Sequence, residues 1–217
     1  MIYNINKPVG WTSFDVVKKV RGITREKKVG HGGTLDPFAE GVLIVGTNKD
    51  TKRLSEFSGS IKSYRAVLKL GEATDTLDLD GTIIETKAVP TIEKAMVESI
   101  LNSFIGDYEH VPPMYSAKKV NGVRLYKLAR KNQTVVRQPV VVKIYDLSLN
   151  LIDGNHIDFS VSCSKGTYVR VLGEDIAQAL NTVGHLIELK RTSVGEYDIK
   201  ESVELKEFET EWMSTAN

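Results

Sequence analysis

The sequence predicts a largely antiparallel α+β domain. Strand-like runs outnumber helical ones along the 217 residues. Several of those runs are joined through hairpin signals, notably Asp153-Gly154-Asn155 and Asn121-Gly122. No internal repeat, low-complexity tract or Pro/Ser-rich linker divides the chain, so one domain with mixed layers fits the pattern.

Taken in order, residues 1–6 alternate apolar and polar and read as a short strand, closed by the turn Pro8-Val9-Gly10. Thr12 or Ser13 is an N-cap for a helix that ends near Gly22, with Asp15 in its first turn and Phe14, Val17 and Val20 at inward spacing. Residues 41–46 form a continuous apolar run, the pattern of a buried strand. Residues 50–57 read as a helix ending near Gly59. In residues 61–70, Tyr64, Ala66, Leu68 and Leu70 share one face of a strand. Residues 71–81 read as a loop and 82–86 as a strand. A helix opens at Pro90-Thr91, with Ile92, Ala95, Met96, Ser99, Ile100 and Phe104 on its buried side and Gly106 as a stop. The two prolines of Val111-Pro112-Pro113 exclude a central strand there. A hairpin around Asn121-Gly122 and a short basic helix at 125–131 follow. Residues 140–151 and 156–164 read as paired strands, and a helix from Gly166-Thr167 to Leu180 places Val169, Leu172, Ile176 and Leu180 inward. Residues 185–190 and 194–199 read as two strands, and the tail from Glu201 as a weak helix that frays.

Composition narrows the function classes. With 41% apolar residues the chain can bury a core, yet no apolar run is long enough to span a bilayer and the N-terminus lacks a signal-peptide pattern. The single cysteine, Cys163, excludes an intramolecular disulfide and a multi-cysteine zinc site. These features point to a cytoplasmic protein. The net charge of +1 hides segregation. Residues 1–31 carry seven Lys/Arg and two acids, residues 116–143 carry eight Lys/Arg and no acid, and residues 196–217 carry seven acids and two lysines. A segregated basic surface is the footprint of a polyanionic partner, although charge runs are usually solvated faces.

Four features invite a chemical reading. Gly30-His31-Gly32-Gly33-Thr34-Leu35-Asp36-Pro37 is a turn with one carboxylate at its tip. By residue type, Asp36 reads first as a turn cap, and otherwise as a nucleophile or base held ionised by an Arg or by the loop backbone. His31 has no metal-ligand spacing to another histidine and reads as a loop hydrogen-bonder. Tyr64 is either a core residue or a platform on which an extruded base stacks. Ser164-Lys165-Gly166-Thr167-Tyr168-Val169-Arg170 is no P-loop. It reads as an ordinary start of a helix with an exposed Arg, or as a place where Tyr168 and Arg170 face a ligand.

Five separated motifs then resemble, in order, those of the bacterial tRNA pseudouridine synthase B (TruB) family. They are Asn6-Lys7-Pro8-Val9-Gly10-Trp11-Thr12-Ser13; the Asp36 turn; Lys62-Ser63-Tyr64-Arg65 with Gly71 and Thr74-Asp75-Thr76-Leu77-Asp78; Pro112-Pro113 and Tyr115-Ser116-Ala117-Lys118 through Ala129-Arg130; and Cys163 to Arg170. The resemblance covers residues 4–195. It implies the pseudouridine synthase fold, a mostly antiparallel central sheet flanked by helices with a small basic insert at about 106–145. It implies isomerisation of uridine to pseudouridine at position 55 in the T loop of tRNA, without cofactor or metal, by a monomer with no obligate protein partner and no membrane attachment.

Carried over to this chain, the resemblance makes Asp36 the essential aspartate, attacking the sugar, attacking the base or abstracting a proton. Arg170 pairs with it and keeps its pKa low. Tyr64 stacks on the flipped uridine, Tyr168 sits against the same pocket and Leu189 lines it. His31 disrupts and holds the T loop, and Lys7 with Pro8 supports the catalytic loop. Gly32 and Glu40 depart from the residues usual at their positions, and neither removes a catalytic group. The expected organisation is a catalytic domain at 1–195 and a short acidic extension at 196–217, with no full C-terminal RNA-binding domain. This arrangement predicts weaker tRNA binding than in longer relatives, with residues 116–143 supplying most of the grip. The competing expectations are a tRNA-binding or folding factor that acts on the T arm without chemistry, and a guide-RNA-dependent relative.

Overall fold

The structure is a computed structural model that describes residues 1–120, 122–131 and 133–215. In chain order its elements are β1 (Ile2–Lys7), α1 (Ser13–Thr24), β2 (Val29–His31), β3 (Glu40–Thr47), α2 (Leu54–Gly59), β4 (Lys62–Leu70), β5 (Glu72–Thr74), β6 (Ile83–Thr86), α3 (Lys94–Ser103) and β7 (Gly106–His110). There follow β8 (Lys119–Val120), β9 (Val123–Arg124), α4 (Leu125–Ala129), β10 (Val140–Asp153), β11 (His156–Cys163), α5 (Val169–Ala179), β12 (Gly184–Val194), β13 (Tyr197–Asp198), β14 (Val203–Glu204) and α6 (Leu205–Thr215). The chain forms two compact units. One holds residues 1–64 and the chain from Leu189 onward, and the other holds residues 65–188.

In the first unit the strands run in the order β14-β1-β3-β12. β1 pairs antiparallel with β3, and β12 lies parallel to β3. The apolar run of β3 is buried on both faces, which explains its lack of alternation. Leu43 and Val45 join Ile5, Val16, Val20, Leu205 and Phe208 on one side, while Val42 and Ile44 join Leu54, Phe57 and Val194 on the other. Thr12 caps α1 in a reciprocal box, accepting from the Asp15 amide at 3.1 Å while Asp15 accepts from the Thr12 amide at 3.1 Å. Ser13, the other candidate cap, is thereby released for a different task. Val17 and Val20 point inward as expected, but Phe14 is 54% exposed and Val16 takes the inward place. The acidic tail is also better anchored than its composition suggests. Leu205 and Phe208 of α6 are buried against α1 and β1, and Trp212, one turn further, packs on the same cluster.

In the second unit the order is β12-β4-β11-β10-β7, with β10 antiparallel to both its neighbours. The alternation of β4 holds, with Tyr64, Ala66, Leu68 and Leu70 all buried. β5 pairs with β6 and β8 with β9, each antiparallel. Asn121 of the expected Asn-Gly turn lies outside the described residues; Gly122 beside it has the positive φ, 81°, that such turns require.

Three readings of the sequence need correction. Residues 185–190 and 194–199 do fall in two strands but with other bounds: β12 runs unbroken from Gly184 to Val194, through a polar stretch in which Arg191 is buried, and the second strand shrinks to β13, Tyr197–Asp198, paired antiparallel with it. Gly106 does follow the end of the helix, as expected, but it also opens β7, a strand the sequence did not show because its inward side chains, Tyr108 and His110, do not register as an apolar pattern. Helix α3 starts at Lys94, and its buried face is Val97 and Leu101, while Met96 is exposed.

Gly41 is fixed by close approach. Its φ is +110°, and a Cβ there would lie 2.3 Å from the carbonyl oxygen of Arg191 on the neighbouring strand. Gly41→Ala is expected to cost about 3 kcal/mol or more, from strain and overlap together. Urea unfolding would measure it.

Candidate active site

The Asp36 turn connects β2 to β3, and its main chain is held from four directions within the first unit. At the start of α1, the Ser13 hydroxyl accepts from the Leu35 amide at 2.8 Å and donates to the Leu35 carbonyl at 3.1 Å. From the turn after β1, the amide of Gly10 donates to the Pro37 carbonyl at 2.8 Å. At the end of β1, Lys7 donates through Nζ to the carbonyls of Trp11 at 2.6 Å, Pro8 at 2.8 Å and Pro37 at 3.3 Å. From β12, Arg191 donates to the carbonyls of Val42 at 2.7 Å, Thr34 at 3.1 Å and Gly33 at 3.3 Å. The residues on both sides of Asp36 are thus fixed through their backbones, and a half-exposed carboxylate sits between them.

Lys7 is fully buried and Arg191 is 2% exposed. Burying two cations is expensive unless their donors are satisfied, and here six carbonyl oxygens receive them. Burial pushes the Lys7 ammonium down to about 8; the Asp36 carboxylate opposes that shift and Arg191 adds to it. Asp36 is therefore within the electrostatic field of a buried cation, on a turn tied down by two. Lys7, expected to support this loop, touches it at the Pro37 carbonyl. Arg191 was not singled out, because Arg191-Thr192-Ser193 reads as a polar break between two strands. Its signal was a mixed one: Leu189 and Arg191 alternate on the same face of β12.

Of the remaining residues in this unit, His31 ends β2 in register with Val45 of β3 and is partly buried. Tyr64 (β4) and Leu189 (β12) are both buried, on strands that neighbour each other in the sheet.

The second unit holds Tyr168 and Arg170. Arg170 lies in the first turn of α5 and is buried, so its reading as an exposed helix residue fails. Its guanidinium donates to the Thr76 carbonyl at 2.7 Å and the Tyr115 carbonyl at 2.9 Å, and lies 3.3 Å from the Asp78 carboxylate. Asp78 in turn accepts from the Thr76 hydroxyl at 2.6 Å and the Asp80 amide at 3.1 Å. Residues 74–80 are therefore ordered around one buried ion pair. Sequence reading placed Asp78 within a motif without giving it a task; the Thr-x-Asp spacing of a side-chain-capped turn was its available signal. Tyr168 occupies the N-cap position of α5 and is partly buried, its ring edge-on to His110 at 5.8 Å. Among the described residues no cluster of three or more His, Cys, Asp or Glu could hold a metal, and no helix is long and apolar enough to cross a membrane.

Comparison with known proteins fits this arrangement. Residues 21–169 match the model of the TruB family pseudouridylate synthase N-terminal domain, and residues 170–217 match the tRNA pseudouridylate synthase B C-terminal domain. The chain is 47% identical over 210 residues to tRNA pseudouridine synthase B of Clostridium kluyveri, covering 97% of this chain and 72% of the relative. It is 44% identical over 204 residues to the protein of the same name from Geotalea uraniireducens, covering 94% of this chain and 66% of the relative. Among solved structures it resembles a chain of a Cbf5-Nop10-Gar1 complex, with a TM-score of 0.77 and 26% identity over all of this chain and 56% of the other. The expected pseudouridine synthase fold is borne out by that likeness. The chain spans about two thirds to three quarters of these curated relatives and a little over half of the solved one.

The buried ammonium gives a pH signature. Since Lys7 is pushed below its ordinary 10.5 to about 8, the unfolded chain holds a proton between those values that the folded chain has released. Stability contributed by this group therefore rises with pH through that window. Wild type is expected to gain stability relative to Lys7→Met between pH 8 and 10.5, and urea unfolding of both proteins at intervals across the window would measure the difference.

Proposed function

The chain belongs to the TruB family of pseudouridylate synthases, and from that membership we propose that it isomerises uridine to pseudouridine at position 55 in the T loop of tRNA. Uridine and pseudouridine have the same atoms. The bond from C1′ to N1 breaks, the base turns, a bond from C1′ to C5 forms, and the proton on C5 is replaced by one on N1. The observation that carries the reading is the Asp36 turn: one carboxylate held between backbone groups that two buried cations fix. Attack on the sugar, attack on the base and proton abstraction all require that carboxylate as an anion in a set place. A fixed carboxylate needs no reorganisation during the reaction, which is the general source of electrostatic catalysis.

The other roles follow the family resemblance. Tyr64 is assigned to stacking on the extruded uracil and Leu189 to the apolar wall of its pocket, in keeping with the way enzymes receive a flipped base. Tyr168 and Arg170 are assigned to the same step as Asp36, and His31 to holding the opened T loop. RNA binding falls to the basic stretch at 116–143. There Lys119, Arg124, Lys127, Arg130, Lys131 and Lys143 are all exposed, as contacts to phosphate require.

Incubation with an unmodified tRNA transcript, followed by mapping of pseudouridine, tests the proposal. Wild type is expected to convert position 55, and Asp36→Asn to lose activity by on the order of 10⁴-fold or more while still binding RNA. Binding by both proteins with product from neither would leave the tRNA-folding role. Affinity is expected to fall steeply with added salt.

A further inference from the structure

β7 places Tyr108 and His110 on one face, and α5 supplies a partner to each. The Tyr108 hydroxyl donates to the Asp175 carboxylate. The His110 ring stacks on the Tyr108 ring at 5.2 Å with 9° between planes, and the Tyr168 ring meets His110 edge-on at 5.8 Å. Phe104 closes the far end of the row, edge-on to Tyr108 at 5.7 Å. Four rings thus run in line through the second unit and end on Tyr168.

From this row we infer that His110 is a positioning residue for Tyr168, fixing the orientation of the ring that the proposed function assigns to the uridine pocket. The inference rests on that assignment. Three observations support it. His110 is 4% exposed, so its ring is enclosed by its neighbours. Its two ring nitrogens make no well-formed hydrogen bond, so it serves as a flat surface more than as a polar group. Burial, with Lys118 adding to it, lowers its pKa, while the backbone of Gly166 partly offsets the shift. Burial thus favours the neutral ring, stacked on Tyr108 and edge-on to Tyr168. Gly166 also belongs to the segment that leads into Tyr168, so His110 borders the start of α5 at two points.

The Tyr108–Asp175 bond gives the row a fixed base. Burial raises the pKa of Asp175 and also that of Tyr108, so the phenol keeps the proton it donates. A ring row held at Tyr108 by a partly buried hydrogen bond and backed at Tyr168 by a helix start transmits little motion. Aromatic pairs of this kind prefer offset or edge-on geometry, and each contributes orientation as well as contact.

The test compares His110→Leu, which removes the ring, with His110→Phe, which restores it, each alone and combined with Tyr168→Phe. All are assayed on unmodified tRNA transcript after thermal unfolding has shown them folded. His110→Leu is expected to lower kcat by about tenfold with KM changed by about twofold at most, since misplacement acts on the reacting geometry. His110→Phe is expected to restore most of kcat. In the Tyr168→Phe background the loss on His110→Leu should shrink to about twofold, the non-additivity of two residues acting as one. Full additivity, or a Phe variant as impaired as the Leu one, would overturn the inference.

A second readout does not use activity. With fluorotyrosine incorporated, the Tyr168 ring signal, assigned through Tyr168→Phe, is expected to show slow ring flipping in the wild type and fast flipping in His110→Leu. Equal flipping in both overturns the inference as well. Absence of product from the wild type would instead count against the proposed function, and the ring-flip comparison would then decide the inference alone.

Discussion

The hydrogen bonds from Lys7 and Arg191 to main-chain carbonyls are the interaction on which the first unit depends. A short turn rich in glycine has no rigidity of its own, since Gly leaves the chain the most conformations to lose. Rigidity has to come from outside the turn, and here it comes from β1, α1, β3 and β12 together. The arrangement places the buried Lys7 ammonium within the electrostatic reach of the Asp36 carboxylate. It also explains why the strand carrying Arg191 tolerates a charged residue inside the sheet: its donors are met by three main-chain oxygens.

The second unit solves a related problem with the same chemistry. Arg170 is buried, and it too binds carbonyls from separate segments, those of Thr76 and Tyr115. It differs in having the Asp78 carboxylate within reach, and Asp78 is itself held by its own turn. In each unit a planar guanidinium, with donors spread across a fork, organises loops that share no regular secondary structure. Lysine has a more compact head group and does the same over a smaller region, at the end of β1.

Much of this was legible in the sequence. The alternation of β4, the inward face of α5, the paired strands β10 and β11 and the cap of α1 all follow from local pattern, and local pattern is what sequence carries. What escaped was set by distant residues. Arg191 looked like a break between two strands because its partners, Gly33 and Thr34, lie far away in the chain. β7 was missed because its buried residues are a tyrosine and a histidine between acids, and neither reads as apolar. The face of α3 was misjudged because its apolar residues surround much of the helix, and Val97 and Leu101, four apart, are the pair that the sheet covers in place of Met96 and Ile100. The tail helix was underrated because its composition is acidic, while two side chains a single turn apart suffice to seat it. The site was legible in parts. The motifs gave Asp36 and Lys7, but the burial of Arg170 and the aromatic row behind Tyr168 exist only once strands and helices are assembled.

Recognition of carbonyl oxygens has a consequence for how the chain can vary. A carbonyl is the same at every residue, so Lys7 and Arg191 do not sense which side chains the turn carries. Thr34 is exposed and Gly33 contributes no side chain, and their anchoring atoms would survive substitution wherever the backbone angles permit it. The turn can therefore change its surface, and with it the chemistry it offers to a bound nucleic acid, while the carboxylate stays in place. Mutational freedom and the fixing of the chain are assigned to different atoms of the same eight residues.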